Sequence, residues 1–338
     1  MIGIHNTGNK GFAPRWVDYC QKHKIAYKLV NAYDSNIVAQ LTDCDAFMFH
    51  HHQGNYKDVL FAKQLLYSLQ LAGKKVFPDF NTTWHFDDKV GQKYLFESIG
   101  APFVPSYVFY TKHEALQWIN NTSFPKVFKL RGGASSANVK LAKNKKEAVK
   151  LINKAFGKGF SQYNWKERFK EANRKKKLGK ASWREVLRPL YYALKKHPTP
   201  FAHYKGNEKG YVYFQDFIPN NTYDIRIIVM GNKAFGIKRM TRKNDFRASG
   251  SGNILYDKNE LDERCVKLAF DVNHIIKAQS IAFDFVFDEK NKPLIVEISY
   301  AFMASVYDPC TGYWDKDLNW HEGPFNPYGW MVDMMLDK

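Results

Sequence analysis

Cysteine is scarce in this chain. Four occur in 338 residues, Cys20, Cys44, Cys265 and Cys310, and none forms a CxxC pair. That spacing excludes a zinc ribbon and a disulfide framework, leaving reduced, structural thiols. Long apolar runs are also missing: no stretch approaches the roughly 18 residues that span a bilayer. The first residues, MIGIHNTGNK, lack the apolar core of a secretion signal and read as a first strand, which places the protein in the cytoplasm. Equally absent are GxxxxGK[ST], GxGxxG after the first strand, HExxH and GxSxG. A Walker-type ATPase, a dinucleotide enzyme, a zincin and a serine hydrolase are thereby disfavoured.

What is present is apolar residue content and positive charge. Hydrophobic residues make up 45% of the chain, enough for a sizeable core, and the length fits about two domains. The net charge is +18, which calls for an anionic partner. Residues 161–210 hold 14 Lys and Arg against 4 Asp and Glu, so more than half of the excess sits in one segment.

The pattern changes along the chain. Residues 1–80 alternate short apolar strands (IGIH, IAYKLV, DAFMFH, KKVF) with amphipathic helical stretches, as a parallel sheet covered by helices requires. The carboxyl ends of those strands carry His5–Asn9 and His50–Gly54, where such sheets place their sites. A helix over Asp87–Gly100 and an extended linker follow in residues 81–123. Residues 124–215 read as a small α+β unit containing a basic helical insertion near 160–208. Residues 216–338 turn mostly to strand (YDIRIIVM, KAFGIKRM, AFDFVFD, PLIVEIS), interrupted by a helix near 258–278.

Several polar residues sit where apolar ones are expected. Asp284 and Glu297 each lie in an apolar strand, and the turn EKNK makes them cross-strand neighbours. Two carboxylates so placed repel each other unless a cation or basic side chains intervene, and magnesium favours such oxygen pairs. Lys129 ends an apolar strand before a Gly/Ser-rich turn, a setting for a phosphate. Asp224 and Arg226 alternate onto one strand face, Arg239 ends the next strand, and Arg247 opens a glycine-rich stretch. Arginines near carboxylates and a lysine suit phosphoryl transfer, where catalysis is positioning plus electrostatics. Each of these residues also has a plain reading as a paired or solvated charge.

Taken in order, these motifs resemble the ATP-grasp superfamily, within it ligases of the ribosomal-protein glutamate ligase type and ATP-grasp proteins of cell-surface polysaccharide biosynthesis. The resemblance runs from Asp87 to Tyr300. It implies a Rossmann-like N-terminal parallel sheet, a small α+β lid domain and a mostly antiparallel C-terminal domain, with ATP and magnesium (manganese as an alternative) as cofactors. It implies Lys89 and Lys129 on the nucleotide phosphates, with the loop Arg131–Ala137 beside them. Gln215, Asp216, Phe217 and Ile218 become the adenine hinge, and Asp224 lies near ribose and substrate. Arg247 contacts the phosphates or the acyl phosphate, and Asp284 and Glu297 ligate the metal. Ser299 stands where the family carries asparagine, which leaves the second metal in question.

The implied activity is carboxylate–amine ligation through an acyl phosphate, on small-molecule or sugar-linked substrates. Kinase-like transfer, peptide ligation, and a catalytically weak protein that binds nucleic acid or membrane are the alternatives. Within the insertion, Trp183, Leu187, Leu190 and Leu194 form an apolar stripe near Arg184, Arg188, Lys195 and Lys196. It could pack on the protein, meet an anionic substrate or membrane surface, or bind nucleic acid. The aromatic tail after Ser299 and His50, His51, His52 and His85 are further pocket candidates.

Overall fold

Short strands rich in Ile, Val and Phe pair both with sequence neighbours and with strands far along the chain. The computed structural model describes residues 1–8, 10–133, 139–177, 179, 181–194, 199–242, 247 and 251–336. The chain divides into two units, one of residues 1–53, 57–104 and 218–338, the other of residues 54–56 and 105–217.

The first unit contains two sheets. One is parallel, with strands in the order Tyr27–Val30, Ile2–His5, Ala46–Met48, Lys75–Phe77. The helix Ala13–Lys22 begins with a proline in its first turn and buries Trp16 and Cys20. The other sheet is antiparallel. Its main path runs Pro293–Ser299, Ser280–Phe287, Tyr223–Met230, Lys233–Met240, Gly312–Asp315, Trp320–Glu322. The helix Glu263–Ile276 is capped by Asp262, whose carboxylate accepts from the Arg264 amide.

Period-two alternation assigns the faces of the antiparallel sheet. Ile225, Ile227, Val229, Phe283 and Phe285 point to a core shared with Val266, Ala269 and Val272 of that helix. Ile228, Met230, Phe235, Ile237 and Ala282 point the other way, into a core with Ile2, Ile4, Trp16 and Met331. Asp224, Arg226, Arg239 and Asp284 lie on this second face, two residues at a time beyond its apolar part.

One irregularity matters here. Asp284 pairs with Glu297, whereas Phe285 pairs with Ile295, so Val296 is an extra residue in a bulge. The bulge lets Ile295 and Ile298, three apart, both enter the helix-side core. Glu297 is thereby turned to the charged face.

The second unit has its own antiparallel sheet, in the order Ser106–Phe109, Val212–Asp216, Lys126–Lys129, Lys140–Ala142. Phe128 and Phe214 pack on Ala115 and Ile119 of helix Lys112–Asn121 and on Ala148 and Ile152 of helix Lys145–Ala155. The basic segment forms helices Trp165–Lys177 and Trp183–Ala193.

Candidate active site

In the first unit the strand register builds a row of charge. Glu297 is opposite Asp284, and Asp284 is opposite Arg226. One step along, Asp224 is opposite Arg239. Like charges on facing strands repel, so the Asp284–Glu297 pair requires compensation. The structure supplies it from three cations. Arg239 grips Asp224 through two bonds, Nε to Oδ1 at 2.6 Å and Nη2 to Oδ2 at 2.7 Å. It also reaches Asp284 at 3.0 Å, and Arg226 meets Asp284 at 3.1 Å. Lys89 comes from the first turn of helix Lys89–Ser98 and lies 3.1 Å from Glu297.

These ions are largely removed from water, and that sets their protonation. Burial works against the charge of Lys89, which is only 4% exposed, but Glu297, Asp87 and Asp88 outweigh it and hold its pKa above the usual lysine value. For Arg239 and Arg226 burial is again the largest influence and again is overcome, chiefly by Asp284. Burial raises the Asp224 carboxyl above its ordinary value, with Arg239 opposing.

The oxygen set here suits a hard cation. Asp284 and Glu297 are neighbours, and Ser299 lies two residues beyond Glu297, opposite Ala282 on the same face. The Ser299 hydroxyl donates to Ala301 O at 2.8 Å, which leaves oxygen lone pairs to accept or ligate. Among the described residues no group of three or more His, Cys, Asp or Glu is arranged to hold a metal ion. Two carboxylates and a hydroxyl are the oxygens this face offers a cation, and magnesium, which keeps several water or phosphate ligands, suits such a partial set.

In the second unit, Lys129 ends its strand buried, and its Nζ donates to Gln215 Oε1 at 2.6 Å. Gln215 is held in turn, since its amide donates to Ser106 Oγ at 3.1 Å and Tyr213 donates to the same oxygen at 2.8 Å. Lys126, on the opposite face of that strand, pairs with Asp216 at 2.5 Å and lies over Tyr107 and Trp118. Gln215 and Asp216 end the strand Val212–Asp216, and Phe217 and Ile218 follow it. The candidate residues are thus divided. Lys129, Gln215, Asp216 and Phe217 belong to one unit. Lys89, Ile218, Asp224, Arg226, Arg239, Arg247, Asp284, Glu297 and Ser299 belong to the other. Residues 134–137 of the expected phosphate loop lie outside the described residues. So do the immediate neighbours of Arg247, whose carbonyl accepts from the Arg242 amide at 3.3 Å.

Two kinds of residue were invisible to the sequence reading. Gln92, on the Lys89 helix, donates to Ile298 O at 2.9 Å and accepts from Ile298 N at 3.2 Å. It clamps the backbone between Glu297 and Ser299. Its position one turn after Lys89 on the same helix face is the signal that would have found it. Tyr300 donates to His51 O at 2.5 Å, joining the strand end to the histidine loop. His50, His51 and His85 are packed into the unit, whereas His52 is exposed. His50 accepts from Phe12 N at 2.9 Å and stacks on the Phe12 ring. Burial pushes its imidazole down to about 3 and that of His85 to about 4, and lowers His51 as well. They are neutral structural groups at physiological pH.

A model of the RimK-like ATP-grasp domain matches residues 205–306. That span holds the charged row from Asp224 to Glu297 but neither Lys89 nor Lys129. No curated protein matches the sequence. Among solved structures, a RimK domain ATP-grasp protein from Sphaerobacter thermophilus is similar over 99% of this chain and 99% of its own, at 12% identity and a TM-score of 0.57. The D-alanine–D-alanine ligase of Bacillus anthracis, complexed with ATP, is similar over 99% of this chain and 95% of its own, at 12% identity and a TM-score of 0.56. The biotin carboxylase domain of Hydrogenobacter thermophilus 2-oxoglutarate carboxylase, solved with MgADP, ADP and bicarbonate, covers all of this chain with 70% of its own, at 13% identity and a TM-score of 0.59. At such identities the likeness carries the fold and no further. The chain has the ATP-grasp fold, and its residues 205–306 match the RimK-like ATP-grasp domain.

Proposed function

We propose that the protein is an ATP-dependent carboxylate–amine ligase working through an acyl phosphate. The observation that carries this reading is the pairing of Asp284 with Glu297 on one sheet face, balanced by Arg226 and Arg239 inside the RimK-like span and by Lys89 outside it. A substrate carboxylate oxygen attacks the γ-phosphorus of ATP and ADP leaves. The amine nitrogen then attacks the acyl carbon, phosphate leaves, and the proton shed by nitrogen passes to solvent. Charge builds on phosphoryl oxygens throughout, so fixed cations are what the reaction needs.

Magnesium, held by Asp284 and Glu297 with Ser299 alongside, supplies Lewis-acid neutralisation of the phosphates when bound. Lys129 and Lys89 serve as point charges for phosphate, and Arg247 for the transferring group. Gln215, Asp216, Phe217 and Ile218 offer backbone and side-chain partners for adenine, with Asp224 near the ribose. Arg226, paired with Asp284, supplies positive charge to the same face. Arg239, held by two carboxylates, acts by fixing Asp284 in place.

The acceptor is a sugar-linked molecule on this reading. In the first unit a cavity of about 510 Å³ is lined by Arg15, Tyr307, Asp308, Phe325, Asn326 and Tyr328, among others. Aromatic and proline faces beside carboxylate and amide groups are the chemistry that holds a hydroxylated ring. Among the described residues the buried Tyr328 hydroxyl has no hydrogen-bond partner, and such a group is stabilised when a ligand hydroxyl meets it.

Calorimetry with ATP and magnesium tests the proposal. Magnesium-dependent binding that weakens at least about tenfold in Asp284→Asn and Glu297→Gln is the expected result. A folded parent chain that binds no nucleotide overturns it and favours the binding-protein alternative.

A further inference from the structure

The helix Trp183–Ala193 is built to persist. Ser182 and Glu185 form a reciprocal capping box at its start. One edge, Val186 and Pro189, is buried, and Tyr192 is half-buried against Tyr163. The broad apolar stripe faces water instead. Trp183 is 64% exposed, Leu187 55%, Tyr191 58% and Leu194 89%, with Leu190 also exposed. At helical spacing these five share a face, and Arg184 and Arg188 border it. The stripe that would ordinarily be core is therefore the outer surface of the most basic stretch of the chain, which carries a net +10 over residues 161–210.

We propose that this helix docks the protein on an anionic lipid surface. Trp183, Leu187, Leu190, Tyr191 and Leu194 enter the boundary between headgroups and acyl chains, while Arg184, Arg188 and the exposed Lys166 and Lys170 of helix Trp165–Lys177 meet lipid phosphates. Charge selects this occupant. A second copy of the chain would bring one strongly basic segment against another. A nucleic acid satisfies the arginines but gives leucines nothing to bury in, whereas a bilayer satisfies both. The helix has 11 residues, roughly 16 Å at the α-helical rise, so it lies in the interface and does not cross it. Peripheral docking of this kind suits an enzyme whose substrate is lipid-linked, yet it stands independently of the ligase reading.

The test uses the full chain. Flotation with phosphatidylcholine vesicles, with and without phosphatidylglycerol, is measured beside a fluorescent single-stranded RNA and the sedimentation coefficient. The parent is expected on phosphatidylglycerol vesicles only. L187E/L190E should lower that partitioning at least about tenfold, and R184E/R188E should lower it similarly. Because these side chains are exposed, unchanged circular dichroism and melting temperature will show that the variants fold. Failure of the parent to float overturns the proposal, whether RNA binds or a dimer that L187E/L190E disperses appears instead. Vesicle binding that survives L187E/L190E but vanishes in salt overturns the role of the stripe, leaving charge alone. Magnesium–ATP binding by the same samples reports separately on the ligase reading.

Discussion

The charged row of the first unit and the helix Trp183–Ala193 of the second invert each other. In the row, ions are buried or half-buried on a sheet face and apolar neighbours surround them. On the helix, ions are solvated and apolar side chains are exposed. Burying an ion is tolerated only with a partner at hydrogen-bonding distance, and each ion of the row has one. Exposing five large apolar groups costs nothing in the fold itself, but leaves a surface that gains by finding a non-aqueous partner. Each region departs from the ordinary rule that apolar groups go inside and charges outside. Neither departure is explained by stability, which is why both point to function.

The comparison breaks most sharply at Arg239. Arg239→Ala should cost about 3–5 kcal/mol in urea unfolding, since it strands Asp224 and Asp284 together without their shared cation. Arg239→Lys should recover only part, because the bidentate grip on Asp224 needs a planar fork. A loss below about 1 kcal/mol would mean that the row is hydrated and not the buried network described. Restoration of stability by saturating magnesium in Arg239→Ala would sharpen the picture, as the cation would then replace the arginine.

A second large effect is one of pH. In the folded state the His50 imidazole titrates near 3 and that of His85 near 4, both from burial, against about 6.5 when unfolded. Below about 6.5 the unfolded chain takes up protons that the native state refuses. Stability is therefore fully present above about 6.5 and falls as pH drops toward 4, by up to about 1.4 kcal/mol per pH unit for each histidine. His50→Asn keeps an acceptor for the Phe12 amide and should lower stability at pH 7 while flattening this slope. An unchanged slope would show that the imidazole is already solvated.

Gln92 gives a smaller effect. Its amide secures Ile298 on both backbone groups, so Gln92→Leu leaves a buried N–H and C=O unmet at a cost of about 1–3 kcal/mol. Magnesium–ATP binding should weaken as well, because Glu297 and Ser299 flank the released residue. Loss of stability with full nucleotide affinity would confine Gln92 to a structural role.

Much of the row was legible because strands have a period of two. DIRII places Asp224 and Arg226 on one face, and the short turn EKNK makes Asp284 and Glu297 cross-strand partners. What alternation could not show is the bulge at Val296. A plain strand would put Ile295 and Glu297 on the same face, and only the competing demand of Ile295 and Ile298 for the core reveals the extra residue. The clamp by Gln92 was unreadable for a related reason, since its partners are 206 residues away. The stripe on the second helix was readable as a pattern, yet periodicity gives a face without saying what it faces. The structure supplies that direction.

The smallest effect sharpens the comparison on adjacent residues of that helix. Val186 is fully packed and Leu187 is open to water. Val186→Ala should cost about 1–2 kcal/mol, the loss of buried methyl groups and the space they leave, partly offset by the better helix propensity of alanine. Leu187→Ala removes a larger side chain yet should change stability by no more than about 0.5 kcal/mol, since water already covers it. The ordering inverts what size alone predicts. It also inverts again on anionic vesicles, where Leu187→Ala should weaken partitioning and Val186→Ala should not. If Leu187→Ala proves the more destabilising in solution, the stripe is packed against the protein and the lipid surface has no claim on it.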